Sequence, residues 1–531
     1  MPADLVLING KIFTMNPSQP CAEAIVIENV NIIQVGTNVA AKKCIGKNTK
    51  IVNLKGKTVV PGFIDSHIHV SDFGRVLPWI NLCNIKSIKE MQTLLSVHVQ
   101  KTPKGKWIIG RGWEQSSIAE KRLPTRKDLD MVSSDNPVIL YHKYGQMCIA
   151  NTEALEIAGL TKQTVASTGD SIDRNKETGE LTGVLREEAT NLLWKFVPLI
   201  TEEELMEAAN LACEKIVKAG ITSVCWIVTS STEISIIEKL NAQNKLPLSI
   251  YAIISVNLLD SVLTSKLLKG SESRAVKIGG VMIFADGYLA ARTAAMFEPY
   301  SDCQNSNGRL LYTQKEMNLL ASKIQKANLQ LVIHAVGDKA VDAALTVIQE
   351  TSKEAAGKEL RNRIEQPAVL NPILLKRMKD HGVIVSVQPC VVDSEFRVWS
   401  ATEHLGPDRV RWLYPLKTLI NQGIQLIGGS DCPMEPLSPL LGIQAAVTRG
   451  FFPEQRVTVY EALRFYTIDA AFALFEENIK GSIEKGKIAD LTVLSRNPQR
   501  VATQEIGKIE VQITIVGGRV VYSKRQDASY L

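Results

Sequence analysis

His67 and His69 close the stretch Val59-Val60-Pro61-Gly62-Phe63-Ile64-Asp65-Ser66-His67-Ile68-His69. A β-branched run reaches a Pro-Gly turn, and an apolar strand then ends in His-x-His. Side chains two apart on an extended strand point to the same side, so both imidazoles can meet one metal ion. Imidazole nitrogen suits zinc and several other first-row metals, so the pair alone does not name the ion. A bare His-x-His is a common and weak pattern. Here it ends a strand just after a small β-rich segment, and matching ligand types recur further along the chain.

The elements that must position such a pair are bounded first by composition. A chain of 531 residues exceeds the usual single-domain range, so one large domain with a smaller one is expected. Hydrophobic residues at 45% and charged residues at 22% describe a soluble globular protein with a sizeable core. A net charge of +6 is small for this length, and no basic run is interleaved with aromatics, which argues against nucleic-acid binding. No apolar stretch approaches the roughly 20 residues that span a bilayer, and the start MPADLVLINGKIF lacks the regions of a signal peptide. Nine cysteines without CxxC spacing read as buried free thiols. A cytoplasmic enzyme is expected, acting on a small-molecule substrate, with no nucleic-acid or membrane partner; a homodimer is compatible with this.

Both chain ends are β-rich. Residues 4–9, 24–35 and the run before Phe63 at one end, and 489–494 and 511–522 at the other, read as short strands that cannot bury both faces alone. Residues 1–60 and 481–531 are therefore predicted to pair into one small β-sandwich around an inserted catalytic domain, 61–480. An insertion at about 71–205 interrupts that domain, and Ser87–Gln100 within it reads as an amphipathic helix. From about 203 strands alternate with helices: Ile221–Ile227, Leu248–Ile254, Val281–Ala285, Leu329–Ala335, Arg363–Gln366, Val383–Val387 and Gln425–Gly428. With the strand before His67 these make a (β/α)8 barrel, an α/β fold whose active residues sit at the C-terminal strand ends. A doubly wound sheet is the alternative, but no G-x-G-x-x-G follows the first strand. The tail Ser523–Leu531 is expected to fray.

PGFIDSHIH resembles the opening of the metal-dependent amidohydrolase superfamily. Further matches narrow the resemblance to its amidohydrolase-3 branch, which includes the YtcJ-like and N-substituted formamide deformylase-like enzymes. They are GKWIIGRGW at 105–113, VIHAVGD at 332–338, SDCPMEP at 430–436 and GSIEKGKIADLTVL at 481–494. The resemblance implies that His334, at a strand end, ligates the metal. It also implies that Asp431 both touches the metal and takes a proton from the reacting water. By itself Asp431, after Gly-Gly-Ser, is equally read as a helix cap. Insertions at barrel strand ends build substrate pockets, which makes Arg111, Trp113 and Tyr144 candidates to touch substrate; packing the insertion alone is the competing account. Asp286 and Arg292 match the family's DG-x-x-x-x-RTA stretch and are read as shaping the pocket, or as a structural ion pair. Asp338 is a second candidate proton donor, and His404 lies in a loop that can overhang the site. His142 is expected on the same strand face as Gln146, which stands where relatives carry a histidine.

Two departures from the family pattern define the expected site. Met282 occupies the place of the lysine that many relatives carbamylate to bridge two metals, and Lys277 is no substitute, since it precedes a Gly279-Gly280 break. Gln366, in Arg-Ile-Glu-Gln, replaces the histidine of Arg-Ile-Glu-His. His67, His69, His334 and Asp431 remain as a ligand set for one divalent ion, expected to be Zn2+. Such an ion lowers the pKa of its water from about 15.7 toward about 7. Gln366 can hydrogen-bond substrate or water but cannot act as an acid. The expected activity is hydrolysis of a non-peptide carbon–nitrogen bond in a small amide or cyclic amide. Hydrolytic deamination of a heterocyclic amine and an inactive ligand-binding barrel are the alternatives.

Overall fold

The computed structural model describes residues 3–143, 147–164, 172–263, 275–354 and 359–524. At its centre eight parallel strands stand side by side: β1 (Phe63–Ile68), β2 (Ile221–Val228), β3 (Ser249–Ser255), β4 (Val276–Phe284), β5 (Gln330–His334), β6 (Arg363–Glu365), β7 (Ile384–Val387) and β8 (Gln425–Gly428). Their near-continuous Val/Ile/Leu runs suit strands buried on both faces, as in a parallel barrel. The first and last strands meet just past their ends. Asp431 N–H donates to His67 O at 2.8 Å, and His69 N–H donates to Cys432 O at 3.0 Å. The fold is thus a nearly closed (β/α)8 barrel.

The lumen is packed, with a floor at its N-terminal end. Ile64, Cys225, Ile227, Tyr251, Ile253, Met282 and Val332 project inward onto Ala470, Ala471 and Leu474, the first two on helix Ile468–Ala473. Only the C-terminal mouth is left for polar chemistry.

Strand β4 corrects one expectation. It runs unbroken through Gly279 and Gly280. Its register against β3 shifts between Ala252 and Ile253, which leaves Gly279 as the extra, bulged residue. A side chain there would collide with the Tyr251 ring, whose Cζ would lie 1.9 Å from a Cβ. Lys277 is exposed at the start of the strand, its ammonium 5.4 Å over the Tyr251 ring. Met282 is fully buried in the lumen, so an apolar thioether fills that level of the barrel.

The terminal segments meet in two sheets. Thr58–Pro61 pairs antiparallel with Leu491–Leu494, Val60 opposite Thr492, within a six-stranded sheet. A four-stranded sheet is formed by Asn31–Gly36, Ala24–Glu28, Leu5–Ile8 and Lys50–Asn53. Leu5, Leu7, Ile25 and Ile27 of the latter share one core with Val59, Leu491, Val493 and Ile513 of the former. Pro61 leads straight into β1, tying this core to the His-x-His strand. Residues Arg75–Leu205 form a separate compact unit with its own six-stranded sheet and its own apolar cores.

None of the nine cysteines is in a disulfide, but only Cys148, Cys213, Cys225 and Cys432 are buried; Cys21 and Cys83 are exposed. Ser523 is not frayed but ends strand Arg519–Ser523, and 525–531 lie outside the described residues. Among the described residues no helix is long and apolar enough to cross a membrane.

Candidate metal centre

His67 and His69 stand at the end of β1, His67 buried and His69 half-buried. Asp431 follows β8 and completes a trio whose ligand atoms all lie within 4.8 Å of one another. Asp431 Oδ1 is 3.6 Å from His67 Nε2 and 3.4 Å from His69 Nε2. These separations are long for hydrogen bonds. They match the edge of a tetrahedron whose centre-to-ligand bonds are about 2.0–2.1 Å, an edge of roughly 3.3 Å, as around zinc. The donor set and its spacing therefore fit a small divalent ion.

His67 and Asp431 are each held from behind. His67 Nδ1 lies 2.8 Å from Glu365 Oε2, and both side chains are buried. A carboxylate only accepts, so the ring proton is on Nδ1 and Nε2 keeps its lone pair toward the trio. Glu365 is in turn held by fully buried Arg363, whose Nε donates to Oε1 at 2.9 Å and whose Nη2 donates to Ser66 O at 2.9 Å. Burial pushes the Glu365 carboxyl up, but the Arg363 guanidinium and the His67 hydrogen bond outweigh it and bring it down to about 2. Asp65 braces the other side: its Oδ1 accepts the backbone N–H groups of His67 and Ser430 at 3.1 and 2.9 Å. Burial raises Asp65 to about 6 despite those bonds.

His334 ends β5 but stands outside the trio. Its Nε2 is 2.9 Å from Gln366 Oε1, and the Gln366 amide donates from Nε2 to Asp431 Oδ2 at 2.8 Å. His334 Nδ1 is buried with no hydrogen-bond partner among the described residues, and the ring is not part of the cluster whose ligand atoms lie within 4.8 Å of one another. Burial, offset in part by Gln366, pushes the His334 imidazole down to about 4. Gln366 and Asp431 both adopt left-handed backbone, each with φ of 55°, an uncommon state for non-glycine residues that recurs at functional sites. Phe284 and Tyr288 flank His334, ring centroids 5.4 and 5.7 Å away.

The other candidates are placed elsewhere. Trp113 is a core residue of its own unit, fully buried, its indole N–H donating to Leu140 O at 2.9 Å. That geometry agrees with the account in which Trp113 packs the insertion. Arg111 is exposed on strand Ile108–Trp113. His142 lies 2.8 Å from Gln115 Oε1; Tyr144 and Gln146 lie outside the described residues. Asp286 does not pair with Arg292. It accepts the backbone N–H groups of Ala295, Val336 and Gly337 at 2.8, 2.9 and 2.9 Å, and burial raises it to about 6. Arg292 instead pairs with Asp302 at 2.7 Å, and His404 Nδ1 meets the same carboxylate at 2.6 Å. Asp338, the first residue of helix Asp338–Glu354, accepts from Phe297 and Lys339 N–H. Sequence reasoning missed Glu365, Arg363 and Asp65. The signal for the first two was present: an Arg-x-Glu pair on an otherwise apolar strand puts two charges on one face of a buried element.

The Amidohydrolase family profile matches residues 50–522 of this chain. It is 32% identical to the protein LONG AFTER FAR-RED 3 of Arabidopsis thaliana, over 98% of this chain and 92% of that one. It is 28% identical to the N-substituted formamide deformylase of Arthrobacter pascens, over 98% of each. Among solved structures, an uncharacterized metal-dependent hydrolase from Pyrococcus furiosus superposes with a TM-score of 0.76 at 30% identity, covering 93% of this chain and 100% of the other.

Proposed function

Because this chain belongs to the amidohydrolase family and is a metal-dependent hydrolase of carbon–nitrogen bonds, we propose that it cleaves a non-peptide C–N bond in a small amide or cyclic amide. The proposed ligands of one divalent ion, zinc by donor type, are His67, His69, His334 and Asp431. Bound there, the ion supplies Lewis acidity and activation of water. Asp431 is the proposed base. Burial alone would raise its carboxyl, but the neighbouring His69 and His67 rings and the Gln366 amide outweigh it and hold it below the ordinary carboxylate range, so it stays ionised at neutral pH. Its Oδ1 faces the two imidazoles as the proposed ligand atom, while Oδ2 is anchored by the Gln366 amide and keeps a second lone pair to take and return a proton. His334 stays neutral, and Gln366 supplies orientation but no proton.

The observation that carries this reading is the trio of His67, His69 and Asp431, with His67 braced by Glu365 and Asp431 by Gln366, at the C-terminal mouth of the barrel. The test is to load the full chain with Zn2+ and assay simple formamides, cyclic amides and heterocyclic amines, measuring amine and ammonia separately. Amine release from an amide is the expected result. Ammonia from a heterocyclic amine without amide cleavage assigns the site to deamination, and no metal-dependent turnover of any class sinks the hydrolytic reading.

A further inference from the structure

Next to the proposed reacting centre the mouth contains polar groups that the hydrolytic step does not use. Gln388 is the residue after β7. Ile384 on that strand packs with Ala473 of the floor helix, so strand alternation carries Ser386 and then Gln388 onto the same lumen-facing side, at the mouth. Gln388 is 1% exposed, and neither its Nε2 nor its Oε1 has a hydrogen-bond partner among the described residues. An unpaired buried polar atom has lost its water without a replacement partner, and this side chain carries two. It stands ready for a ligand that brings both a donor and an acceptor.

Two carboxyls accompany it. Glu395 lies on helix Val391–Arg397, directly after β7, 5% exposed and with Oε2 unpartnered. Glu435 follows Asp431 by four residues and is close enough to feel both Asp431 and Glu395. Burial and then Glu435 push Glu395 up to about 8. Burial, then the charges of Asp431 and Asp393, push Glu435 up to about 7 against the Ser394 hydroxyl. No arginine or lysine among the described residues offsets either one. Arg397, on the same helix, is engaged by Asp393 at 2.6 Å and lies over the Phe451 ring. Arg449, which lines the same cavity as Glu435, is engaged by the Leu413, Tyr414 and Phe451 carbonyls, so the region is rich in acceptors and its arginines are already committed.

We propose that Gln388, Glu395 and Glu435 bind the part of the substrate remote from the scissile bond, and that this part is an organic cation rich in N–H groups, a primary ammonium or an amidinium. Its donors meet Glu395 Oε2, the Glu435 carboxyl and Gln388 Oε1, while Gln388 Nε2 donates to an acceptor on the same ligand. The proposal rests on the hydrolytic reading above and narrows its substrate class.

The test compares N-(5-aminopentyl)formamide with N-hexylformamide, which has the same number of heavy atoms and no charge. Binding is measured by calorimetry to Zn2+-loaded Asp431→Asn protein, so that turnover does not interfere. The cationic formamide should bind at least about tenfold more tightly, equivalent to ~1.4 kcal/mol. Adding Glu395→Gln, or Gln388→Met, should collapse that ratio to within a few-fold, with near-ultraviolet circular dichroism reporting the fold of each variant. Glu435→Gln serves if either variant fails to fold. Equal or weaker binding of the cationic compound, no binding of it at millimolar concentration, or a ratio that survives the substitutions overturns the proposal. Selective binding with neither formamide cleaved by the parent protein leaves this subsite standing and removes the amide reading. Cleavage of both without preference does the reverse.

Discussion

Gln366 Oε1 lies 2.9 Å from His334 Nε2, and this relationship decides which imidazole nitrogen carries the proton. An ionised carboxylate only accepts, so the Gln366 NH2 group must face Asp431 and its oxygen must face His334. An amide oxygen also only accepts, so His334 is protonated on Nε2. Its buried Nδ1 then carries the lone pair and has no hydrogen-bond partner among the described residues. Gln366 thus joins a proposed ligand to the proposed base and sets the tautomer of the first.

Gln366→Leu should therefore weaken Zn2+ binding about 10–100-fold, the usual effect of losing a partner behind a ligand. Gln366→His should keep affinity within a few-fold, because a neutral imidazole can accept from His334 and donate to Asp431. Chelator competition measures both, and equal affinities for the two variants would refute the tautomer role.

Asp431→Asn should lower kcat by about 10²–10⁴, the range for loss of a positioned base. The metal-free variant should melt with the parent, since an amide nearly keeps the shape of the carboxylate. An Asn variant that turns over an identified amide like the parent would show that the base is another group.

Glu365→Gln leaves Arg363 charged and unpaired in the barrel, and losing one partner of a buried pair costs about 3–5 kcal/mol. The folded carboxyl sits at about 2 against an ordinary 4.5. Its contribution to stability is therefore fully present above about 4.5 and lost as pH falls from there through about 2. Denaturant titrations across that window should show the acid loss in the parent and a shallower one in the variant. Parallel curves would mean that Glu365 is not the linked group.

One divalent ion per chain should suffice for full activity, because Met282 fills the lumen where a bridging lysine would stand. Chelation should abolish turnover yet leave far-ultraviolet circular dichroism unchanged, because apolar packing and the buried Arg363–Glu365 pair close the barrel core without the ion. Elemental analysis of loaded protein checks the stoichiometry; two ions at full occupancy would contradict it.

What could be read from the sequence follows from how local each feature is. Strand alternation is a property of neighbouring residues, so His67 and His69 declare themselves as a pair sharing one side. The βα rhythm declares the barrel in the same way, and the β-rich ends declare strands in want of partners. The Gly279-Gly280 pair shows the limit, since two glycines read equally as a break or as a bulge. Only the Tyr251 ring, packed where a side chain would otherwise go, makes it a bulge.

The tertiary structure decided what joins across the barrel. Glu365 meets His67 from 298 residues away, and Gln366 reaches Asp431 from 65 away; no periodicity carries such distances. Arg292 illustrates the same point, for sequence proximity suggested Asp286 as its partner. Closure of the fold gave it Asp302, shared with His404, and committed Asp286 to three backbone amides. Trp113 sits in a stretch that resembles a family landmark, yet its indole is buried in its own unit. Residue type and spacing determined which chemistry this chain can perform and at which end of the strands. The packing of distant strands determined which atoms face one another there, because charge and hydrogen bonding in a buried mouth depend on neighbours that only folding supplies.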